Sequence, residues 1–317
     1  MASYFNYMLN NLFIFIVSLF IVIKGATIST KYAGRLAEVF KLSKYTIGFI
    51  VVAIISILPE TFISINSAFE GVPEFGLGTL FGGNVADLTL VFFIILIFAG
   101  RKIKIESVIL KNNLFYPLLL LVPIILGLNG HYSRLEGAVL IIIGIVFYYI
   151  TLRRSYGDAA VSEWSYGSKL KNFAYLVLGL LMLLTGSHFI VTSATSLAGL
   201  FAISPVLIGM LVVGVGTTIP ELFFSLNAVK KNDCNLAIGD IFGTVLADAT
   251  IVVGLLALIS PFSFPVIIVY VTGLFMVGAS IILLLLMRSG EVLTRKESYI
   301  LFSYWLIFVF VEFFVSK

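Results

Sequence analysis

Four acidic residues stand where an apolar chain should have none. Glu60 lies in ILPETFISINSAF (57–69) and Glu221 in IPELFFSLNAVKK (219–231). Asp87 closes LFGGNVAD and Asp248 closes IFGTVLAD. Hydroxyls accompany them at helical spacing. Ser56 precedes Glu60 by four positions, Thr217 and Thr218 precede Glu221 by four and three, and Thr244 precedes Asp248 by four. Residues three or four apart share a helix face. Carboxylates and hydroxyls are hard oxygen ligands, suited to Ca²⁺ or Na⁺. Soft ligands are scarce: Cys234 is the single cysteine, and His131 and His188 stand apart. The expected chemistry is the holding of a hard cation by Glu60, Glu221, Asp87, Asp248, Ser56, Thr217, Thr218 and Thr244.

The chain that positions these residues is a membrane chain. Its 317 residues are 60% hydrophobic and 11% charged, with a mean hydropathy of +1.13. Most apolar runs exceed the ~18 residues of a transmembrane candidate. Ten spans are expected, near 8–33, 45–69, 75–99, 112–129, 134–152, 173–196, 205–229, 235–259, 263–287 and 298–316. The first is read as a membrane helix, not a signal peptide, because no basic residue or small-residue cleavage site precedes it. The fold class is all-α.

Basic residues gather on one side of that layout. Lys31, Arg35, Lys41 and Lys44 follow span one; Arg101, Lys102, Lys104 and Lys111 follow span three. Arg153, Arg154, Lys169 and Lys171 follow span five, Lys230 and Lys231 span seven, and Arg288, Arg295 and Lys296 span nine. Arg134 and Lys317 fall on the other side, and Lys24 lies within span one. By the positive-inside rule the rich side is cytoplasmic, so both termini are expected outside a plasma membrane. The basic residues follow this rule and do not suggest nucleic acid. Inorganic cations and the lipid bilayer are the expected partners, with no obligatory protein partner and no cofactor.

An internal repeat organises the chain. When the sequence is laid over itself at one constant displacement, Gly25 meets Gly186, Gly48 meets Gly209, and Pro59 and Glu60 meet Pro220 and Glu221. Phe62, Ser64 and Asn66 meet Phe223, Ser225 and Asn227, while Ala86, Asp87 and Thr89 meet Ala247, Asp248 and Thr250. Between 47 and 91 roughly a third of positions are identical, without a gap. The expected units are a first five-helix repeat at 1–152 (motif 46–92), a cytoplasmic linker at 153–172, and a second five-helix repeat at 173–317 (motif 207–253). Five is odd, so the copies should cross the membrane in opposite senses. Inverted repeats of this kind place a transport site at their interface near the midplane.

The matched part is the polar part, which packing alone would not favour. An acid at the centre of a membrane helix costs up to ~3 kcal/mol, and four ask for on the order of 10 kcal/mol. With no Lys or Arg securely inside the membrane, the neutralising charge must be metal ions or protons. Pro59 and Pro220 add to the site. Each lacks an N–H and clashes with the carbonyl four residues back, near Ile55 and Gly216. Broken membrane helices commonly offer such carbonyls to ions. Gly82, Gly83 and Gly243 permit bending or close approach just before the aspartates.

At these residues the chain resembles the cation/calcium exchanger superfamily, including the sodium/calcium exchangers. Their two alpha repeats carry patterns like G-T-S-x-P-E and G-N-x-x-G-S-N-x-x-N/D. Here the copies read GTTIPELFFSLNA with IGDIFGTVLAD, and ISILPETFISINS with LGTLFGGNVAD. The resemblance implies alternating-access exchange of Ca²⁺ for Na⁺ or H⁺, with spans one and six sliding across the other eight. It implies Glu60 and Glu221 on Ca²⁺, helped by carbonyls near Ser56 and Thr217. Thr217, Thr218 and Thr244 would line Na⁺ positions with Ser56 opposite, and Asp87 and Asp248 would lie centrally.

The sequence departs from the pattern at four places. Ile57 and Gly83 replace hydroxyl residues, Asp87 replaces Asn, and Asp240 replaces the Asn of the G-N pair, opposite Thr79. These departures leave H⁺ open as the counter-ion beside Na⁺. Two other classes remain: a cation channel, which acid rings also line, and an intramembrane enzyme in which Asp87 and Asp248 form a dyad. No nucleophile or metal–histidine motif supports the enzyme.

Overall fold

A computed structural model describes residues 2–37, 53–99, 103–104, 115–154, 169–289 and 292–315. With no water in the hydrocarbon core, backbone polar groups must be satisfied within the segment, and long helices do this. The first half contains α1 (Ala2–Ala37), α2 (Ala53–Ser56), α3 (Leu58–Phe69), α4 (Pro73–Ala86), α5 (Phe92–Ala99), α6 (Tyr116–Leu126) and α7 (Arg134–Arg154). The second contains α8 (Lys169–Phe201), α9 (Pro205–Ile208), α10 (Gly214–Thr217), α11 (Ile219–Lys230), α12 (Cys234–Ala247), α13 (Val253–Ile259), α14 (Leu274–Arg288) and α15 (Arg295–Val315).

The register of the sequence repeat governs this inventory. α2, α3, α4 and α7 begin and end at the positions that the repeat pairs with the ends of α10, α11, α12 and α15. Even the caps repeat. The Ser133 N–H donates to Glu136 Oε2 at 2.7 Å and the Glu136 N–H returns to Ser133 Oγ at 3.3 Å, a capping box at the start of α7. Thr294 and Glu297 build the same box before α15, at 2.6 and 3.5 Å.

Eight helical segments among the described residues are long and apolar enough to cross a membrane. The two other expected spans lie only partly within the described residues. Of 45–69, Ala53–Phe69 is seen, broken at Ile57; of 112–129, a shorter apolar helix over Tyr116–Asn129 is seen. Gly48, Lys41, Lys44 and most of the 153–172 linker fall outside the described residues. The linker's visible edges are shorter than expected, because α7 runs on to Arg154 and α8 starts at Lys169. Span nine starts at Ile268 instead of 263. Phe262 and Ser263 are taken up by a short strand, β3, pairing antiparallel with β2 (His131–Tyr132). A second ribbon pairs β1 (Ile103–Lys104) with β4 (Val292–Leu293). Each ribbon ties one half of the chain to the other.

Burial sorts the helices into layers. The windows through Pro73–Ala99 and Cys234–Ile259 are 78% and 83% buried, so these two segments form the centre. α7 and α15 face outward with exposed Leu135, Ile142, Phe310 and Phe314. The main core holds Phe81, Leu88, Phe242 and Leu246. α1 and α8 build a separate cluster with Val22, Ala26, Leu183 and Val191, which meets the rest at Ile63, Phe75 and Val213.

α1 and α8 pack closely through small residues. A Cβ on Gly25 would lie 2.9 Å from the Gly179 carbonyl oxygen and 2.9 Å from Met182 Cβ; one on Gly186 would meet Val22 and Ser18. As numbers rise along α1 they fall along α8, so these repeat mates run antiparallel. The pairs are also reciprocal: Gly25 meets Met182 while Gly186 meets Ile21, the same contact with the two repeats exchanged.

Backbone also meets backbone at the centre, where a Cβ on Gly82 would run into the Met210 carbonyl oxygen. Helices without side chains at the crossing can approach this far. Gly82→Ala is therefore expected to cost about 1–3 kcal/mol by overpacking. Gly199→Ala, in open space, should cost nothing. Thermal unfolding of both variants in detergent checks the difference.

Candidate functional site

The two proline-broken spans supply the first half of the site. Pro59 cannot donate to the carbonyl of residue 55, nor Pro220 to that of residue 216, and each helix breaks one turn earlier. α2 ends at Ser56, Ile57 forms a turn, and α3 restarts; α10 ends at Thr217, Thr218 forms a turn, and α11 restarts. The Ser56, Thr217 and Thr218 hydroxyls stand at these breaks. Glu60 and Glu221 sit in the first turn of the new helices. A helix start carries partial positive charge, which favours an acid there.

α4 and α12 supply the other half. Each ends where a π turn begins, at Asp87 and at Asp248. Single π turns inside α-helices recur at functional sites. Here they place both aspartates at the same point of mated helices. The two helices touch between them: Asn84 Nδ2 donates to the Val245 carbonyl at 3.2 Å, and Val245 is the repeat mate of Asn84 itself. Tyr116 and Tyr148 hydroxyls donate to the Phe242 and Gly243 carbonyls at 2.8 and 2.7 Å, holding α12 just before Thr244.

All eight expected ligands are buried. Thr217 is wholly inaccessible, and Ser56, Glu60, Asp87, Thr218, Glu221, Thr244 and Asp248 expose no more than 4%. The acids lie within electrostatic reach of one another: Glu221 of Glu60 and Asp87, and Asp248 of Glu60 and Asp87. The Thr217 hydroxyl donates to the Gly214 carbonyl at 3.0 Å, and its oxygen lies near the Glu60 carboxylate of the other half. Both Glu221 carboxylate oxygens lack a hydrogen-bond partner, as do Glu60 Oε2, Asp87 Oδ1, Asp248 Oδ1 and Thr244 Oγ1. Leaving such groups buried and unmade is costly, which makes these oxygens the candidate ligands of a cation. Among the described residues no Lys or Arg is buried. Lys24 is exposed and lies over the Phe20 ring at 5.6 Å.

Two findings amend the expected inventory. First, the buried acids number more than four. Asp240 and Glu312 are both fully inaccessible. Ser56 Oγ donates to Asp240 Oδ1 at 3.1 Å, and Thr272 Oγ1 donates to Glu312 Oε1 at 2.5 Å. Asp240 and Glu312 lie near span ends in the sequence, where an acid reads as a headgroup-level residue. Only the packing of neighbouring helices buries them. Second, among the described residues no three His, Cys, Asp or Glu side chains converge as a metal-holding group by themselves. A cation held here would have to draw hydroxyl or carbonyl oxygens into its shell alongside the carboxylates.

A family model described as sodium/calcium exchanger protein matches residues 10–153 and again 171–314. The chain belongs to this family. The two matches stand in the same register as the mated helices, so the duplication is a property of the family unit. Among relatives, the inner membrane protein YrbG of Escherichia coli is 28% identical over 260 residues, covering 78% of this chain and 79% of that one. A solved sodium-calcium exchanger NCX_Mj, soaked with Na⁺ and Sr²⁺, is 24% identical at a TM-score of 0.69, covering 95% and 97% of the two chains. The H⁺/Ca²⁺ exchanger CAX is 14% identical at a TM-score of 0.79, covering 97% and 82%. Identity and fold similarity rank these two exchangers oppositely. The shared fold is that of a multi-pass membrane exchanger, and the chain is a multi-pass integral membrane protein.

The Thr217–Glu60 juxtaposition generates a direct expectation. Thr217→Val should weaken ⁴⁵Ca²⁺ binding to the purified protein about tenfold, roughly 1.4 kcal/mol, while Thr217→Ser keeps the hydroxyl and stays near wild type. Equal binding by Thr217→Val would remove this hydroxyl from the site.

Proposed function

We propose that the protein is a secondary antiporter that exchanges Ca²⁺ for Na⁺ by alternating access, with the cation held between two inverted five-helix repeats. The single observation that carries this reading is the set of orphaned carboxylate oxygens on Glu60, Glu221, Asp87 and Asp248, contributed by both halves and buried without a cationic side chain. Glu60 and Glu221 are the Ca²⁺ pair, and Asp87 and Asp248 occupy the central position. Ser56, Thr217, Thr218 and Thr244 complete the oxygen shell.

The inversion is supported by the antiparallel, reciprocal packing of α1 against α8. Inverted repeats let one sequence adopt two mirror arrangements, open to either face. The moving part in this reading is the α1–α8 pair. It has its own hydrophobic cluster, and polar bonds fasten it lightly to α3. Asn66 Nδ2 donates to Ser187 Oγ at 2.7 Å, and His188 Nδ1 lies 3.2 Å from Glu70 Oε1. Apolar surface can slide at small cost where few hydrogen bonds must break.

A second reading, exchange of Ca²⁺ for H⁺, is favoured by a specific observation. The first repeat lacks two hydroxyls, at Ile57 and Gly83, while acids are added at Asp87 and Asp240. The higher fold similarity to an H⁺/Ca²⁺ exchanger points the same way. Carboxylates can carry protons where hydroxyls cannot. Na⁺ ranks first because Thr217, Thr218 and Thr244 are kept.

Proteoliposomes with Na⁺ and pH gradients imposed separately decide between these readings. Uptake of ⁴⁵Ca²⁺ driven by outward Na⁺ at equal pH supports the first, and uptake driven by pH alone supports the second. A channel would pass Ca²⁺ down its gradient with no counter-ion at all. Glu60→Gln and Glu221→Gln should each abolish uptake, a loss of at least a hundredfold. Asp87→Asn should change the dependence on the counter-ion more than the apparent Ca²⁺ affinity, which counter-ion titration at fixed Ca²⁺ measures.

A further inference from the structure

The two faces of the site are not equivalent, and the difference centres on Asp240. On α12, residues 240, 244 and 248 fall four apart and line one helix face. All three carry an orphaned buried oxygen: Asp240 Oδ2, Thr244 Oγ1 and Asp248 Oδ1. The mated positions on α4 are Thr79, Gly83 and Asp87. There the Thr79 hydroxyl donates to the Phe75 carbonyl at 2.9 Å, and Gly83 offers no side chain. One face thus presents a column of two carboxylates with a hydroxyl between them, and the other one carboxylate and a hydroxyl separated by a glycine.

The column continues onto α2. Ser56 Oγ donates to Asp240 Oδ1 at 3.1 Å, with both groups buried. Asp240 also lies within electrostatic reach of Glu221 and Asp87, so it belongs to the same polar interior. Two turns of helix and more separate it from Asp248, about 12 Å along the axis. A single Ca²⁺ between Glu60 and Glu221 cannot also be ligated by both ends of this column. Asp240 Oδ2 is buried without a hydrogen-bond partner, so a cation or a proton must answer it.

We infer that Asp240, with Ser56 and Thr244, forms an additional binding position for a hard monovalent cation on the α2–α12 face. One carboxylate supplies one negative charge, which matches a monovalent ion, and the remaining oxygens are neutral hydroxyls. The carboxylate is bonded to the neighbour of Ile57, the position where the first repeat lacks its hydroxyl. It therefore restores from α12 a ligand that α2 has lost, and it does so on one face only. This inference rests on the antiporter reading for its place in a transport cycle, but not for the binding itself.

Equilibrium binding of ²²Na⁺ to the purified full-length protein tests it, with ⁴⁵Ca²⁺ binding measured on the same samples. Asp240→Asn and Asp240→Thr (the residue its repeat mate carries) are expected to weaken at least one ²²Na⁺ position tenfold or more. At a concentration equal to the wild-type dissociation constant, a tenfold weakening should lower bound Na⁺ by roughly 0.4 per protein. Unchanged ²²Na⁺ binding in both variants overturns the assignment, as does a wild type that binds no ²²Na⁺. Equal loss of both ions in both variants would give Asp240 an architectural role and also overturn it. Wild-type ⁴⁵Ca²⁺ uptake in vesicles reports separately on transport. If uptake is absent while ²²Na⁺ binding depends on Asp240, the antiporter reading fails and the cation position stands.

Discussion

Charge taken out of water must be answered by charge, and the centre of this protein is built around that requirement. Carboxylates from α3, α4, α11 and α12 are buried together, and among the described residues no Lys or Arg is buried to answer them. A soluble protein would neutralise such a cluster with an arginine or open it to water. Here the surrounding helices are apolar and the oxygens are left with vacant lone pairs. Such oxygens are costly to leave unanswered, which is the physical basis of the proposed cation site. In the proposed antiporter the same requirement links the two faces, because an ion released to one side must be replaced by another from the other side.

The architecture follows from how such a site can be made without tearing the membrane helices apart. Irregular backbone at membrane depth is tolerated only where protein or a polar cavity covers it. α12 packs on the segment before the break at Ile57 and α4 on the segment before the break at Thr218, and both belong to the most buried spans among the described residues. Those segments in turn approach closely enough because Gly82 has no side chain where it meets the backbone at Met210. Outer helices α7 and α15 carry the lipid-facing surface. The broken elements and the acids gather inside beside large apolar residues such as Phe81 and Phe242, and the outer helices present further apolar side chains.

Duplication gives this site its symmetry, and the departures from it give the site its direction. Mated elements keep their boundaries from one repeat to the other, down to the capping boxes at Ser133 and Thr294. At the polar centre the copies diverge: Ile57 against Thr218, Gly83 against Thr244, Thr79 against Asp240. A strictly symmetric site would bind the same ions identically from either half. The observed one places hydroxyls on α10 and an extra carboxylate on α12, so its two faces differ in charge.

The sequence by itself determined the membrane class, the repeat and its register, and the eight candidate ligands, because these depend on composition and on spacing along one helix. Hydropathy sets which runs leave water, and positions four apart share a face whatever lies opposite. The tertiary structure alone decided which faces meet. It brought Ser56 onto Asp240 from the other half of the chain, placed Thr217 near Glu60, and buried Glu312 beneath Thr272. It also started a π turn at each central aspartate and packed α1 and α8 into a second cluster together with Ile63, Phe75 and Val213. Contacts between helices remote in the chain depend on how side chains interlock across an interface. Periodicity along one helix shows the face offered and carries no information about its partner.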